Sequence, residues 1–294
     1  MPQNSETILL LEFGSNTCKV MLWDSHNAQV LVDYRLPLRL AAELSKRKEL
    51  SENGVNSMIS AIRDVQNRFK DARKIIAIGT QTLRKAKNAQ QIVQKIKEKC
   101  GVTIKILSPQ EEAQAAFKGV QASIKPKGNT IYFDIGGGST EIIFAKDQRV
   151  YSARSYELGA VSLHQKFHCT TPISNCNYYH VQQEILRTIK PIKKNIENMV
   201  GSGGSVVTCA MVALGITQPN EDLINGHIIR RSAIIGQIQR YRALSAYEIA
   251  KIPGMDPSRA DIILPAAMII IGIMDLYQKP DFIASTKGVR HGMI

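Results

Sequence analysis

The stretch LLLEFGSNTCKVMLW near the start of the chain returns, at an offset of 122 residues, as IYFDIGGGSTEIIFA. The match aligns Glu12 with Asp134, Gly14 with Gly136, Ser15 with Gly137, Asn16 with Gly138, Thr17 with Ser139 and Val20 with Ile142. Each copy reads as an apolar strand ending in a carboxylate, a tight turn of small residues, and a second apolar strand. An internal repeat of a strand–turn–strand unit constrains the fold more than any composition value, and a length of 294 residues, enough for two modest cores, makes two lobes the expectation.

The repeated unit also has a chemical logic. Small residues in a turn let the backbone approach an anion closely, so that amide N–H groups and Ser or Thr hydroxyls converge on phosphate oxygens. A carboxylate just before such a turn can hold magnesium, directly or through water, and offset the charge of bound phosphate. A third small-residue loop, GSGGS at 201–205, follows a short apolar stretch and precedes the helical segment VVTCAMVAL, which makes it a further anion site at a helix N-terminus. One such turn alone would be an ordinary hairpin. Two in register plus a third point to phosphate binding, and the absence of GxxxxGK[ST] excludes a Walker-type loop.

Periodicity and turn signals predict strands near 7–13, 17–23 and 29–36, a helix near 52–70, a strand at 74–79, a helix to about 99, a strand at 103–107 and a helix from 109. Ser108, Pro109 and Glu111 form the start signal of that last helix and place Glu112 in its first turn. The second half predicts strands near 130–135, 140–146 and 149–155, then helices interrupted by short strands near 199 and 281. The segment KGVQASIKPKGN suggests a boundary between lobes 1–120 and 121–294. The apolar run from Ile262 to Met274 contains Pro265 and is too short to span a bilayer, so it reads as a buried helix.

With 38 Lys and Arg against 25 Asp and Glu, the formal charge of +13 suits a polyanionic partner. Aromatic content of 6% and the lack of a basic, aromatic-rich segment argue against a specific nucleic-acid binder. Cys18, Cys100, Cys169, Cys176 and Cys209 are widely spaced with no CxxC pair, which fits reduced thiols in a cytoplasm rather than a disulfide framework or structural zinc. MPQNSETILL carries no export signal, and no membrane association is expected. Self-association as a homodimer stays open.

Beyond the repeat, the chain contains GTQTLRKAKN at 79–88, SPQEEAQAAFKGV from Ser108, YELGAVSLHQKF, IPGMDPSRADIILPAA and STKGVRHGMI. Together with EFGSNT and FDIGGGSTEI, in this order, these segments resemble the exopolyphosphatase and guanosine pentaphosphate phosphohydrolase family of the actin, sugar-kinase and Hsp70 superfamily. The resemblance implies an α/β, actin-like, ribonuclease H-like fold of two duplicated lobes with an interdomain cleft. Longer members carry an additional helical C-terminal region, so a compact two-lobe form is expected.

The resemblance further implies magnesium-dependent release of terminal phosphate from inorganic polyphosphate or guanosine pentaphosphate. Glu112 would be the general base for an in-line attack by water, and Arg84 a phosphate-contacting arginine. Gly14, Ser15, Asn16, Thr17, Gly136, Gly137, Gly138, Ser139, Gly203 and Gly204 would bind phosphate, and Asp134, Glu141 and Glu12 would position magnesium. Two positions depart from the pattern. Glu12 stands where the first loop normally opens with aspartate, and His291 where an acidic residue usually precedes the last glycine. Glu12 raises the alternative of a weakly active polyphosphate or alarmone sensor, or of a carboxylate tied to a basic side chain and remote from the metal. A sugar or acetate kinase is disfavoured, since no sugar-binding segment follows the second hairpin.

Overall fold

The computed structural model describes residues 7–294, and the opening residues of the stretch read above for a leader lie outside it. The chain divides into two compact units, Met1–Ser108 and Pro109–Ile294. In the first, β1 (Thr7–Phe13), β2 (Thr17–Asp24) and β3 (Gln29–Pro37) form an antiparallel meander. Helix α1 (Glu52–Arg68) leads to β4 (Lys74–Gly79), which pairs parallel with β1. Helices α2 (Gln81–Lys85) and α3 (Ala89–Cys100) then lead to β5 (Ile104–Ile106). The sheet order is β3-β2-β1-β4-β5.

Local chemistry accounts for these elements. The central strand β1 carries the apolar run Ile8–Leu11, as a strand covered on both faces requires, whereas the edge strand β3 mixes Val30, Val32 and Tyr34 with exposed Gln29, Leu31 and Asp33. Ser51 caps α1 by accepting from the Gly54 amide, and Val55, Met58, Ile62 and Val65 form its buried stripe. The expected single helix up to residue 99 is two helices. Asn88 exchanges hydrogen bonds with both the amide and the carbonyl of Leu50, at 3.0 and 2.9 Å, and the chain breaks there.

The second unit opens with α4 (Pro109–Gln121) and repeats the meander as β6 (Asn129–Ile135), β7 (Thr140–Lys146) and β8 (Arg149–Tyr156). Helices α5 (Ala160–Phe167) and α6 (Asn175–Thr188) precede β9 (Asn198–Ser202). After it come α7 (Gly204–Leu214), α8 (Glu221–Ile224), β10 (Ile228–Arg230), α9 (Arg231–Ala243), α10 (Ala246–Ala250), α11 (Ile263–Leu276) and β11 (Asp281–Ala284). Strand order is β10-β11-β9-β6-β7-β8. Apart from the added edge strand β10, which the sequence reading missed, this repeats the first sheet position for position.

One face of the second sheet carries α4, whose Ala113, Phe117 and Val120 pack on Tyr132, Ile143, Ala145 and Val200. The opposite face carries the larger core, including Phe133, Phe144, Val206, Tyr241 and Ile269. Helix α11 is apolar all round and buried, as expected, with Pro265 in its first turn, where a missing amide breaks no helical bond. Because α4 packs within the second unit, the division falls at Ser108/Pro109 and not at the expected 120/121. Among the described residues no helix is long and apolar enough to cross a membrane. None of the five cysteines forms a disulfide.

Candidate active site

The two repeated turns share one geometry. The Gly14 amide donates to the Thr17 carbonyl at 3.0 Å, and the Gly136 amide donates to the Ser139 carbonyl at 2.9 Å. In the first unit the carbonyls of Ser15 and Asn16 accept from the amides of Leu38, Arg39 and Ala41. In the second, the carbonyls of Gly136 and Gly137 accept from the amides of Ala160, Val161 and Ser162 at the start of α5, and the Gly138 carbonyl accepts from the Ser162 hydroxyl. A trans peptide points its N–H opposite to its C=O. Turning these carbonyls toward the supporting segment therefore aims the amides of Asn16 and Thr17, and of Gly137, Gly138 and Ser139, the other way.

Close approach of α5 to the second turn depends on Gly159, where a Cβ would lie 2.5 Å from backbone atoms of Gly137 and Gly138. The third loop joins the second turn from the side. β9 runs parallel to β6 with Ser202 opposite Asp134, and the Ser202 hydroxyl donates to the Asp134 carboxylate at 2.5 Å. Gly203 follows with φ +101, where a side chain would also meet the Ile135 carbonyl, and Gly204 opens α7. Gly204 packs against the guanidinium of Arg259, which reaches Ser205 Oγ at 3.4 Å and Asp256 at 3.3 Å.

Three carboxylates converge in this unit. Asp134 is the penultimate residue of β6, Glu141 sits opposite it on β7, and Glu112 lies in the first turn of α4. All three are buried. Burial, then the charges of Glu112 and Asp134, push the Glu141 carboxyl well above its ordinary value of 4.5, against hydrogen bonds from Ser155 and Ser139 that lower it. The C-terminal segment closes on the same place. Gly119 of α4 and Gly292 leave room for the backbones of Gly288 and Ala115 respectively, and Gly288 stands against the Asp134 carboxylate. His291 is buried there and accepts from the Gly288 amide through Nδ1 at 3.2 Å, a packing role.

Among the described residues no group of three or more His, Cys, Asp or Glu side chains is arranged to hold a metal by itself. Three mutually repelling carboxylates fit a hard divalent cation held by one or two of them with water completing its shell. Asp134 and Glu141 are the residues that could hold it.

Glu12 behaves differently. It faces Lys19 across the β1–β2 pair, and Lys19 Nζ donates to Glu12 Oε1 at 2.6 Å. The position that carries Glu141 in the second hairpin carries Lys19 in the first. This geometry favours the ion-pair alternative for Glu12 over a place in a metal shell. Elsewhere in the first unit, Thr82 donates to Ser15 Oγ at 2.9 Å, and Arg84 Nη1 donates to the Leu107 carbonyl at 2.7 Å.

Sequence reasoning missed Lys19, Ser155, Ser202 and Arg259. Lys19 was discoverable from the repeat itself, since the same offset aligns it with Glu141. Ser202 lies in the GSGGS loop singled out above, but its contact with Asp134, like the reach of Arg259 to Ser205, comes through strand register and helix packing, which leave no local signal.

The family described as the Ppx/GppA phosphatase family matches residues 20–294. A Haemophilus influenzae protein provisionally named an exopolyphosphatase is 25% identical over 300 residues, covering 99% of this chain and 91% of that protein. A guanosine-5'-triphosphate,3'-diphosphate pyrophosphatase of Vibrio vulnificus is 26% identical, covering 99% of this chain, which spans 59% of that protein's length. A crystal structure of an exopolyphosphatase from Cytophaga hutchinsonii has the same fold, with a TM-score of 0.89 at 19% identity over 97% of this chain and 96% of that one. Two duplicated α/β lobes, a carboxylate cluster beside a glycine-rich turn, and a family match over nearly the whole length lead to one conclusion: the chain belongs to the Ppx/GppA phosphatase family.

Proposed function

We propose that the protein is a magnesium-dependent hydrolase that removes the terminal phosphate of inorganic polyphosphate. The observation that carries this reading is the buried cluster of Glu112, Asp134 and Glu141 beside the turn Gly136–Ser139. Amides turned outward from that turn suit phosphate oxygens. Glu112 would orient a water and accept its proton as the water attacks phosphorus. Asp134 and Glu141 would hold magnesium, which when bound supplies positive charge against the phosphate oxygens. Arg84 and the outward amides of both turns would bind phosphate oxygens.

A polymeric anion suits the net charge of +13. Guanosine pentaphosphate is the competing substrate of the same chemical class, supported by the name of the Vibrio relative. The weakly active sensor loses its motive, since Glu12 is engaged by Lys19.

The test is phosphate release from polyphosphates of several lengths and from guanosine pentaphosphate, side by side, with and without magnesium. Release from polyphosphate that requires magnesium is expected. Release from guanosine pentaphosphate alone would transfer the assignment to that substrate, and no release from either would overturn it.

A further inference from the structure

The first unit contains a buried polar group that its own fold does not use. Gln81 is 6% exposed, and among the described residues its Nε2 has no hydrogen-bond partner. An unpaired buried amide donor costs stability, and native proteins keep such groups for a reason. Its surroundings suggest one. Both residues flanking Gln81 are tied to the first turn: the Thr80 amide and hydroxyl donate to the Phe13 carbonyl at 3.1 and 3.3 Å, and Thr82 donates to Ser15 Oγ at 2.9 Å. Because the Ser15 hydroxyl accepts from Thr82, its own proton is left to be given to another acceptor. Arg84 lies three residues after Gln81, on the same side of α2.

We infer that the Gln81 side-chain amide is a substrate-binding group, donating a hydrogen bond to a phosphate oxygen of the phosphoanhydride held by the first turn. The inference rests on the reading that this turn binds phosphate. A neutral amide adds specificity without charge. It completes a donor set with the Ser15 hydroxyl and the outward amides of Asn16 and Thr17, so that Arg84 need not supply all the recognition in this unit. The burial of Gln81 strengthens the bond, since a hydrogen bond is electrostatically stronger in low-polarity surroundings.

The experiment uses the full chain and tripolyphosphate as probe, with binding followed by calorimetry in EDTA at low and high salt, and hydrolysis assayed separately with magnesium. Gln81→Met keeps the shape and removes the donor. It is expected to raise Kd for tripolyphosphate about tenfold to a hundredfold, the worth of one hydrogen bond to a charged oxygen. That factor should be the same at both salt concentrations, whereas the loss in Arg84→Ala should shrink at high salt. KM should rise with kcat little changed. Gln81→Glu should bind more weakly still.

The ligand-free Gln81→Met protein should melt at or above the wild-type temperature, because an orphaned donor has been removed. A lower melting temperature would assign the amide to an internal partner such as a buried water and overturn the inference. Unchanged Kd in Gln81→Met, or no binding of tripolyphosphate by wild type, would also overturn it. Weakened binding in Gln81→Met with no hydrolysis by wild type would sink the proposed function and leave the inference standing. Hydrolysis by wild type with unchanged Kd and KM in the variant would do the reverse.

Discussion

Glu112, Asp134 and Glu141 are held together although each repels the others, and that repulsion is measurable. Glu112→Gln keeps the shape of the side chain but cannot accept a proton, so kcat for phosphate release should fall by about a hundredfold to ten-thousandfold while substrate binding persists. A variant with more than half of wild-type turnover would remove Glu112 from the reaction. Glu141 gives a prediction in pH. Its folded-state pKa lies above the unfolded value, so between the ordinary 4.5 and the raised value the folded protein holds more protons, and stability falls as pH rises through that window. Thermal melts of the magnesium-free protein should show this fall. Magnesium should blunt it and Glu141→Gln abolish it; a flat profile in the wild type would contradict the cluster. Glu12 differs in having its charge matched by Lys19, which gives a prediction in stability. Lys19→Met should destabilise by more than the ~1 kcal/mol of an exposed pair and at most the ~3–5 kcal/mol of a buried one, with Glu12→Gln restoring most of the loss in the double variant. Glu12→Asp should leave the magnesium concentration for half-maximal rate unchanged, and a lower requirement would return Glu12 to the metal.

Helix α5 shows how an element is fixed by a residue it does not contain. Gly159 precedes it and lets its first amides reach the carbonyls of the second turn, so a Cβ there collides with the backbone of Gly137 and Gly138. Gly159→Ala should destabilise by about 1–3 kcal/mol and depress turnover by displacing the turn. Gly236, inside α9, is the control, because a Cβ added there would meet nothing within 4 Å. Gly236→Ala should stabilise by about 0.5–1 kcal/mol and leave activity alone, a difference that denaturant melts of the two variants resolve. These glycines also mark the limit of what the sequence carries. Strands β1, β2, β6 and β7 were legible because two apolar runs around a small-residue turn recur in register, and α11 because a long apolar run with an early proline admits little else. The break between α2 and α3 was not, since it depends on Asn88 finding Leu50, far away in sequence. Nor was the affiliation of α4. Its stripe of Ala113, Phe117 and Val120 announces a buried face, but which sheet receives that face is a tertiary matter.

Each unit has its own core, the first built from residues such as Leu9, Leu11, Phe13, Met58, Ile62 and Ile96. A polypeptide of residues 1–108 is long enough to fold alone and should give a dispersed amide spectrum and a cooperative melt. Extending it to residue 120 should add no stability and reduce solubility, because Phe117 and Val120 would be exposed without the sheet they cover. If only the longer polypeptide folds, α4 belongs with the first unit after all. The common strand order and the matching turn closures are those expected of a duplicated module. An ancestor that paired two identical modules would have carried the same residue at the places now held by Lys19 and Glu141. Their divergence to opposite charge is a division of labour: the carboxylate of the first hairpin is balanced within the fold by Lys19, while the second keeps carboxylates that repel one another. Substitutions at the Glu12–Lys19 pair should then be read out in stability and those at Asp134 and Glu141 in turnover, so the two hairpins, alike in shape, should tolerate opposite substitutions at these positions.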